Sequence, residues 1–286
     1  MITTYEHNTT PAIPATALVV DLRNFTSNLT ASRSDAAGRN LFCAFLAEFH
    51  ALCLDSCRVA VPSVGQSKAP YLLWTTGDGI VVCFTDPEAH SRHGFLAALV
   101  MQSVLRKVCA EYNRTGVPRG VPKTSFGIGL ESGHVWEVSA YLEGESGIKT
   151  YVGHCINVAA RSQEVSKTLH RARTIIGSQT NQLLVEGLMQ EDYSQLVKST
   201  RERVDDARYL ALEEKMNELN RALCLGFIHL HTLRGVDRPI ALFRVSESTT
   251  RLGNPRFDAL LVRLAAGAHD HLEKVREFVN LQVQTA

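Results

Sequence analysis

Hydrophobic positions fall into two patterns along the chain: short unbroken runs and stretches with helical spacing. Ala17-Leu-Val-Val-Asp-Leu22 is an apolar run broken only at Asp21, the pattern of a buried strand. Over residues 40–57, Phe42, Phe45, Leu46, Phe49 and Leu52 recur three and four apart, which predicts an amphipathic helix. Pro, Gly and Ser over 61–69 break that pattern. Residues 70–76 and 79–84 are strand-like and only Gly77 and Asp78 lie between them, which predicts a β-hairpin. Asp86-Pro87-Glu88 is a helix-start signal for a helix that runs to about residue 112 and closes at Gly116.

Residues 124–132 and 134–138 are again strand-like, with Gly133 expected at a turn between them. Helical patterning follows over 154–170, a strand over 174–178 and a short helix over 179–188. Residues 205–223 are charged and helical, and 226–233 and 240–245 bracket a second hairpin at Arg234-Gly-Val-Asp-Arg-Pro239. Residues 254–284 are mostly helical and rather polar. This order predicts an α+β fold, a ferredoxin-like βαββαβ sandwich with helices on one face of a mainly antiparallel sheet. The expected division is a main domain over 14–246 and a C-terminal helical extension over 247–286.

Composition narrows the function classes. With 286 residues the chain can bury a core without staples, and 45% hydrophobic with 21% charged residues is an ordinary globular balance. A net charge of +1 offers no basic field for nucleic acid or an anionic membrane, so neither is expected as a partner. The seven cysteines form no Cys-x-x-Cys pair and lie in apolar stretches, as reduced core thiols do. The polar start lacks the apolar segment of a signal peptide, and the apolar runs fall short of the ~18 residues of a membrane span. A cytoplasmic location is expected.

Asp21 ends the first strand and Asp78 sits at the hairpin tip, so the two carboxylates can converge on one point. Two carboxylates with backbone oxygens suit Mg²⁺ or Mn²⁺. Either Asp alone reads more readily as a turn former or helix cap than as a metal ligand. Asn157 and Arg161 stand i and i+4 on one helix face, where an amide and a guanidinium can grip a sugar and a phosphate.

Four fragments occur in order: Asp21-Leu-Arg-Asn-Phe-Thr26, Gly77-Asp-Gly-Ile80, Gly127-Ile-Gly-Leu-Glu-Ser-Gly133 and Gly153-(x)3-Asn157-(x)3-Arg161. Together they resemble the class III nucleotide cyclase catalytic domain, and Leu233-Arg-Gly-Val-Asp-Arg-Pro-Ile240 looks like its closing hairpin. The resemblance covers residues 17–245. It implies that Asp21, Asp78 and the Leu22 carbonyl hold two Mn²⁺ or Mg²⁺ ions, and that the backbone of Asn24, Phe25 and Thr26 cradles the triphosphate of an NTP. Asn157 would orient the ribose and Arg161 would stabilise the transition state. It further implies a head-to-tail homodimer with two composite sites, the carboxylates from one chain and the Asn/Arg pair from the other.

The chain departs from this pattern at the base pocket. Trp74 stands where purine cyclases carry Lys or Glu, and Thr150 at the second base-selecting position. Gly127 stands where the family often has a triphosphate Arg, with Lys123 on the same strand parity as a substitute, and Val236 stands where some relatives have Lys. A soluble class III domain with such a pocket resembles the bacterial pyrimidine cyclases of Pycsar antiphage systems. That resemblance implies cyclisation of UTP in preference to CTP, with a separate effector reading the product. The alternatives are a purine cyclase with an atypical pocket and a catalytically silent nucleotide-binding regulator.

Overall fold

Strand β1 (Ile13–Arg23) is the axis of the sheet, and residues 15–20 are buried without a break. It is covered on both faces, which is why its sequence is a continuous apolar run rather than an alternation. The computed structural model describes residues 11–33, 36–62, 70–140, 148–169, 173–189, 214, 217–218, 220–246, 254–265 and 269–284. After β1 come helix α1 (Phe25–Ala31), helix α2 (Ala36–Ala60), strands β2 (Tyr71–Thr75) and β3 (Gly79–Phe84), and helix α3 (His90–Gly116). Strands β4 (Ser125–Ala140) and β5 (Ile148–Val152), helix α4 (His154–Val165), strand β6 (Thr174–Gly177) and helix α5 (Ser178–Met189) follow. Strands β7 (Leu225–His231) and β8 (Ile240–Val245) and helices α6 (Pro255–Leu264) and α7 (His269–Gln284) complete the order.

The sheet order is β2-β3-β1-β4-β6-β8-β7, with β5 paired to β4 off this path. Its first four strands pair antiparallel, as the ferredoxin-like reading requires. Both hairpins form where the turn residues predicted them. The predicted turn at Gly133 does not: β4 runs straight through it, and β1 stays in register from Ile13↔Val135 through Ala15↔Gly133 to Arg23↔Ser125. The helix signalled at Asp86 begins four residues later, at His90, because the Asp86 carboxylate first caps a turn by accepting from the Glu88 and Ala89 amides. The predicted charged helix over 205–223 lies mostly outside the described residues.

Helices cover both faces of the sheet, not one. On the first face α2 and α3 pack over Leu18, Val20, Ile80, Val82, Phe84, Ile128 and Leu130. Phe42, Phe45, Phe49 and Tyr112 form an aromatic ladder there, with Phe45 and Tyr112 stacked at 4.3 Å. Each such fully buried ring contributes about 1.5–3 kcal/mol by burial alone. By length and composition α2 is a helix that could cross a bilayer; here its Phe42, Phe45, Phe49, Leu52 and Cys57 are buried in the core. The C-terminal helices join this same core through Phe257, Leu260, Leu261, Leu264, Leu272, Val275 and Val279. Their buried stripes are narrow, which is why the sequence reads as polar. His271 Nε2 donates to the Val59 carbonyl at 2.7 Å, and Lys107 Nζ donates to the Gln282 carbonyl, which fixes α7 near both ends.

On the second face α4 packs over Ala15, Ala17, Val19, Val81, Cys83 and Val135 through Cys155 and Ala159. It lies unusually low on β4. A Cβ at Gly129 would stand 1.9 Å from the Ala159 carbonyl oxygen, and one at Gly127 would stand 2.5 Å from Ser166 Oγ. The glycines of the third fragment are therefore a docking groove for this helix.

Glu131 shares that strand face and is buried, accepting at 3.4 Å from the Gln179 and Thr180 amides at the start of α5 and from Thr180 Oγ1. Burial pushes its carboxyl up to about 7, against these donors. The folded state thus holds the proton more tightly than the unfolded chain. This group's stabilisation is complete below about pH 4.5 and is lost as pH rises through about 7. Glu131→Gln should remove that slope, so the stability of the variant relative to the parent should rise by about 3 kcal/mol between pH 4.5 and 8. Urea unfolding across that range measures it; parallel profiles for the two proteins would contradict the assignment.

Candidate active site

The carboxylates meet where β1 reaches its end. Asp21 follows Val19 and Ala17 on the α4 face of the strand, and its register partners are Gly79 on β3 and Gly127 on β4. A Cβ at Gly79 would collide with the Val20 carbonyl at 2.1 Å, so only glycine lets the hairpin close this tightly on β1. Gly77 takes the turn at φ +92°, and the Leu22 amide donates to the Asp78 carbonyl at 2.9 Å. That bond holds Asp78 beside the strand end. The Leu22 side chain is buried in the main core, so only its backbone faces this rim.

Asp21 is 23% exposed and carries two partners on one oxygen: Gln163 Nε2 donates to Oδ2 at 3.1 Å, and Lys167 Nζ lies 3.3 Å from it. Burial first, and then the negative charge of Asp78, hold the Asp21 carboxyl above its ordinary value, against the pull of Lys167. A part-buried carboxylate with a second carboxylate beside it, and an ammonium group already against it, fits a divalent cation that prefers hard oxygen ligands. Asp21 and Asp78 are the candidates to hold it, with the Leu22 carbonyl beside them. Among the described residues no group of three or more His, Cys, Asp and Glu side chains is placed to hold a metal, so substrate and water oxygens would complete the shell.

Helix α4 sorts its side chains by face. Cys155, Ala159, Ser162 and Gln163 are buried against the sheet. Asn157 is exposed, and Arg161 is 36% exposed with its guanidinium 2.7 Å from Glu164 Oε1. The two therefore share a face, as their spacing predicts, and that face is turned away from Asp21 of the same chain. What α4 and the turn after it bring to Asp21 is Gln163 and Lys167.

The segment after β1 is tightly pinned. Asn24 takes the left-handed conformation at φ 63°, its Nδ2 donates to the Lys123 carbonyl at 2.8 Å, and its own carbonyl accepts from Asn28 Nδ2. Thr124 Oγ1 donates to the Arg23 carbonyl at 2.9 Å. The Phe25 ring packs against Phe42 at 5.6 Å, which leaves its backbone as the part that a ligand can reach. Thr26 and the Lys123 side chain are exposed.

Trp74 pairs with Val81 and packs against the cluster of Val19, Val81, Cys155 and Ala159, together with Tyr151, Ile156 and Ala160. It thus shares a sheet face with Asp21. Thr150 is not in that cluster. Strand alternation on β5 puts Tyr151 on the Trp74 side, while Thr150 pairs with Val138, which is exposed. Sequence reasoning missed Tyr151, Gln163 and Lys167. Period-two alternation would have found the first, and the buried stripe Cys155, Ala159, Gln163 the second; Lys167 lies past the helix end, where no periodicity marks it.

No family model matches the chain, and no curated protein matches it. Solved structures do. The guanylyl cyclase Cya2 aligns over 83% of this chain and 93% of its own, with a TM-score of 0.53 and 19% identity. The adenylyl cyclase CyaB from P. aeruginosa aligns over 83% and 95%, with a TM-score of 0.53 and 16% identity. A bacterial light-regulated adenylyl cyclase aligns over 92% of this chain and 58% of its own, with a TM-score of 0.55 and 13% identity. At these identities the likeness establishes the fold: the chain has the mixed α+β fold of class III cyclase catalytic domains.

The exposure pattern on α4 gives a direct test. Asn157→Ala and Arg161→Ala should each change stability by no more than about 0.5 kcal/mol, since an exposed i,i+3 ion pair contributes little. Gln163→Ala should cost more, about 1–2 kcal/mol, because it removes a buried side chain and takes away one of the two partners of the part-buried Asp21 carboxylate. Urea denaturation of the three variants measures this; equal losses would make Asn157 and Arg161 structural residues.

Proposed function

We propose that the chain is a nucleotide cyclase that converts a pyrimidine NTP, UTP before CTP, into its 3′,5′-cyclic monophosphate and pyrophosphate. The observation that carries the reading is the division of labour within one chain: a two-carboxylate rim at Asp21 and Asp78, and an Asn157/Arg161 pair on the outward face of α4. A second copy related head to tail would bring its Asn157 and Arg161 to that rim, which makes two composite sites per homodimer.

In this reading Asp21, Asp78 and the Leu22 carbonyl would hold two Mn²⁺ or Mg²⁺ ions. The bound ions would acidify the ribose 3′-OH and neutralise the triphosphate and departing pyrophosphate. Asn157 of one chain hydrogen-bonds the ribose and fixes the 3′-oxygen in line with the α-phosphorus. Arg161 leaves Glu164 and meets the charge that builds on the α-phosphoryl oxygens as the 3′-oxygen bond forms and the bond to pyrophosphate breaks. The pinned backbone over Asn24, Phe25 and Thr26 offers amide donors to the outer phosphates.

The pyrimidine preference rests on Trp74. Indole has one donor and no charge, so it cannot reproduce the bonds that Lys or Glu makes to a purine edge. Its bulk on the Asp21 face also favours a one-ring base. The resemblance of the nonstandard base pocket to that of Pycsar cyclases extends the reading to a second messenger, made in antiphage defence and read by a separate effector. A purine cyclase stands second, supported by the guanylyl and adenylyl cyclases among the similar structures.

The test is incubation of the purified protein with each of the four NTPs and Mn²⁺, with products identified by mass. Cyclic UMP should dominate, Asp78→Ala should abolish it while the protein stays folded, and Trp74→Lys should lower the ratio of pyrimidine to purine product. Cyclic AMP or GMP as the main product would overturn the pyrimidine reading. No cyclic product from any NTP would overturn the enzyme.

A further inference from the structure

We infer that Lys167 is the residue that neutralises the substrate's triphosphate, and that until a divalent ion arrives it serves as the cation beside Asp21. The inference rests on the nucleotide reading above and adds a residue to it.

Three observations carry it. First, Lys167 Nζ stands 3.3 Å from Asp21 Oδ2, with the Lys167 side chain 44% exposed, so a cation already lies against the carboxylate rim on a side chain that solvent reaches. Second, no side chain at the paired position on the neighbouring strand can do this work. Gly127 is the register partner of Asp21 on β4, and a Cβ there would meet Ser166 Oγ at 2.5 Å and Gln163 Nε2 at 3.0 Å. The turn after α4 fills the space that a strand-borne cation would need. Third, the base of Lys167 is fixed. Its amide donates to the Glu164 carbonyl at 3.0 Å, and Ser166 Oγ donates to the Gln163 carbonyl at 2.7 Å. Arg23 spends a guanidinium nitrogen on Ser166 Oγ at 2.7 Å, holding the turn against the end of β1. The backbone anchor is hydrogen-bonded and the side chain beyond it is part exposed, as suits a group that changes partners.

Charge bookkeeping says why such a group is needed. An NTP brings about four negative charges and Asp21 and Asp78 bring two more, against about four positive charges on two divalent ions, so roughly two must be met by protein cations. Arg161 faces outward in the same chain and is held by Glu164, so it serves the neighbouring composite site. Lys167 gives up Asp21 to the arriving ion and turns to the phosphate oxygens a few ångströms away. An ammonium, a point charge with three rotatable donors, suits that exchange better than a planar guanidinium.

The two roles predict opposite effects of one substitution. Lys167→Met keeps the aliphatic stem and removes the charge; Lys167→Gln is a second neutral variant and Lys167→Arg keeps the charge. Binding of Mn²⁺ alone, read by the EPR signal of the free ion, should be about threefold or more tighter in the neutral variants, since the competing cation is gone. Binding of inorganic tripolyphosphate in the presence of Mn²⁺, read by calorimetry, should weaken roughly tenfold in the neutral variants and less than about threefold in Lys167→Arg. UMP, which lacks the outer phosphates, should bind the parent and all variants alike. If the parent binds Mn²⁺ and tripolyphosphate and either affinity is unmoved in both neutral variants, or UMP binding falls in step, Lys167 does not have this role. If the parent binds neither, the nucleotide reading fails and takes this inference with it.

Discussion

The low seating of α4 on β4 is the contact on which the rest of the arrangement depends. Gly127 and Gly129 remove the side chains that would hold the helix off, and the Ala159 carbonyl comes within 1.9 Å of where a Cβ on Gly129 would be. A helix that close to a sheet cannot rotate without a clash, so its faces are fixed. Gln163 must then look at Asp21, and Asn157 and Arg161 must look out. The same contact drives the turn after α4 against the end of β1, where it delivers Lys167. Packing geometry, and not any one polar contact, decides which side chains of α4 face the carboxylate rim and which face away from it.

Electrostatics then makes the rim ready for a cation. Asp21 sits near the end of a strand whose middle is fully buried, beside a second carboxylate that the hairpin backbone holds in place. Burial and like charge both disfavour its ionised form. A bare pair of this kind is a cost to the fold, and Lys167 and Gln163 offset part of it. A bound ion would offset more, which is why the strain is tolerable at a site and would be wasteful elsewhere.

Much of this was legible in the residues. Apolar runs marked β1 as a buried strand and 79–84 as strand-like, and the Gly77-Asp78 pair fixed the hairpin that carries a carboxylate. The i, i+4 spacing of Asn157 and Arg161 placed them on one face, which the exposure pattern bears out. What failed, failed for a common reason: local signals were read without the partner element. Gly133 looks like a turn, yet β4 continues through it because the glycine makes room for Cys155, whose Cβ would lie 3.1 Å from an added Cβ. The helices were expected on one face because nothing in a short helix such as α4 states which side of a sheet it takes. The C-terminal helices look polar because each buries only a narrow stripe, which still enters the main core. Lys167 was invisible for the same reason, since it gains its place from Asp21, a neighbour distant in sequence.

The central claim is that one chain supplies the carboxylate rim and another the Asn157/Arg161 face. Mixing Asp78→Ala and Arg161→Ala subunits tests it most directly. Each homodimer has two dead sites, but in a mixed dimer both lesions can fall in one composite site and leave the other whole. With free exchange about half the dimers are mixed and each has one good site of two, so about a quarter of the parent's cyclising activity should return. No recovery, with subunit exchange demonstrated independently, would mean that each site is built within a single chain.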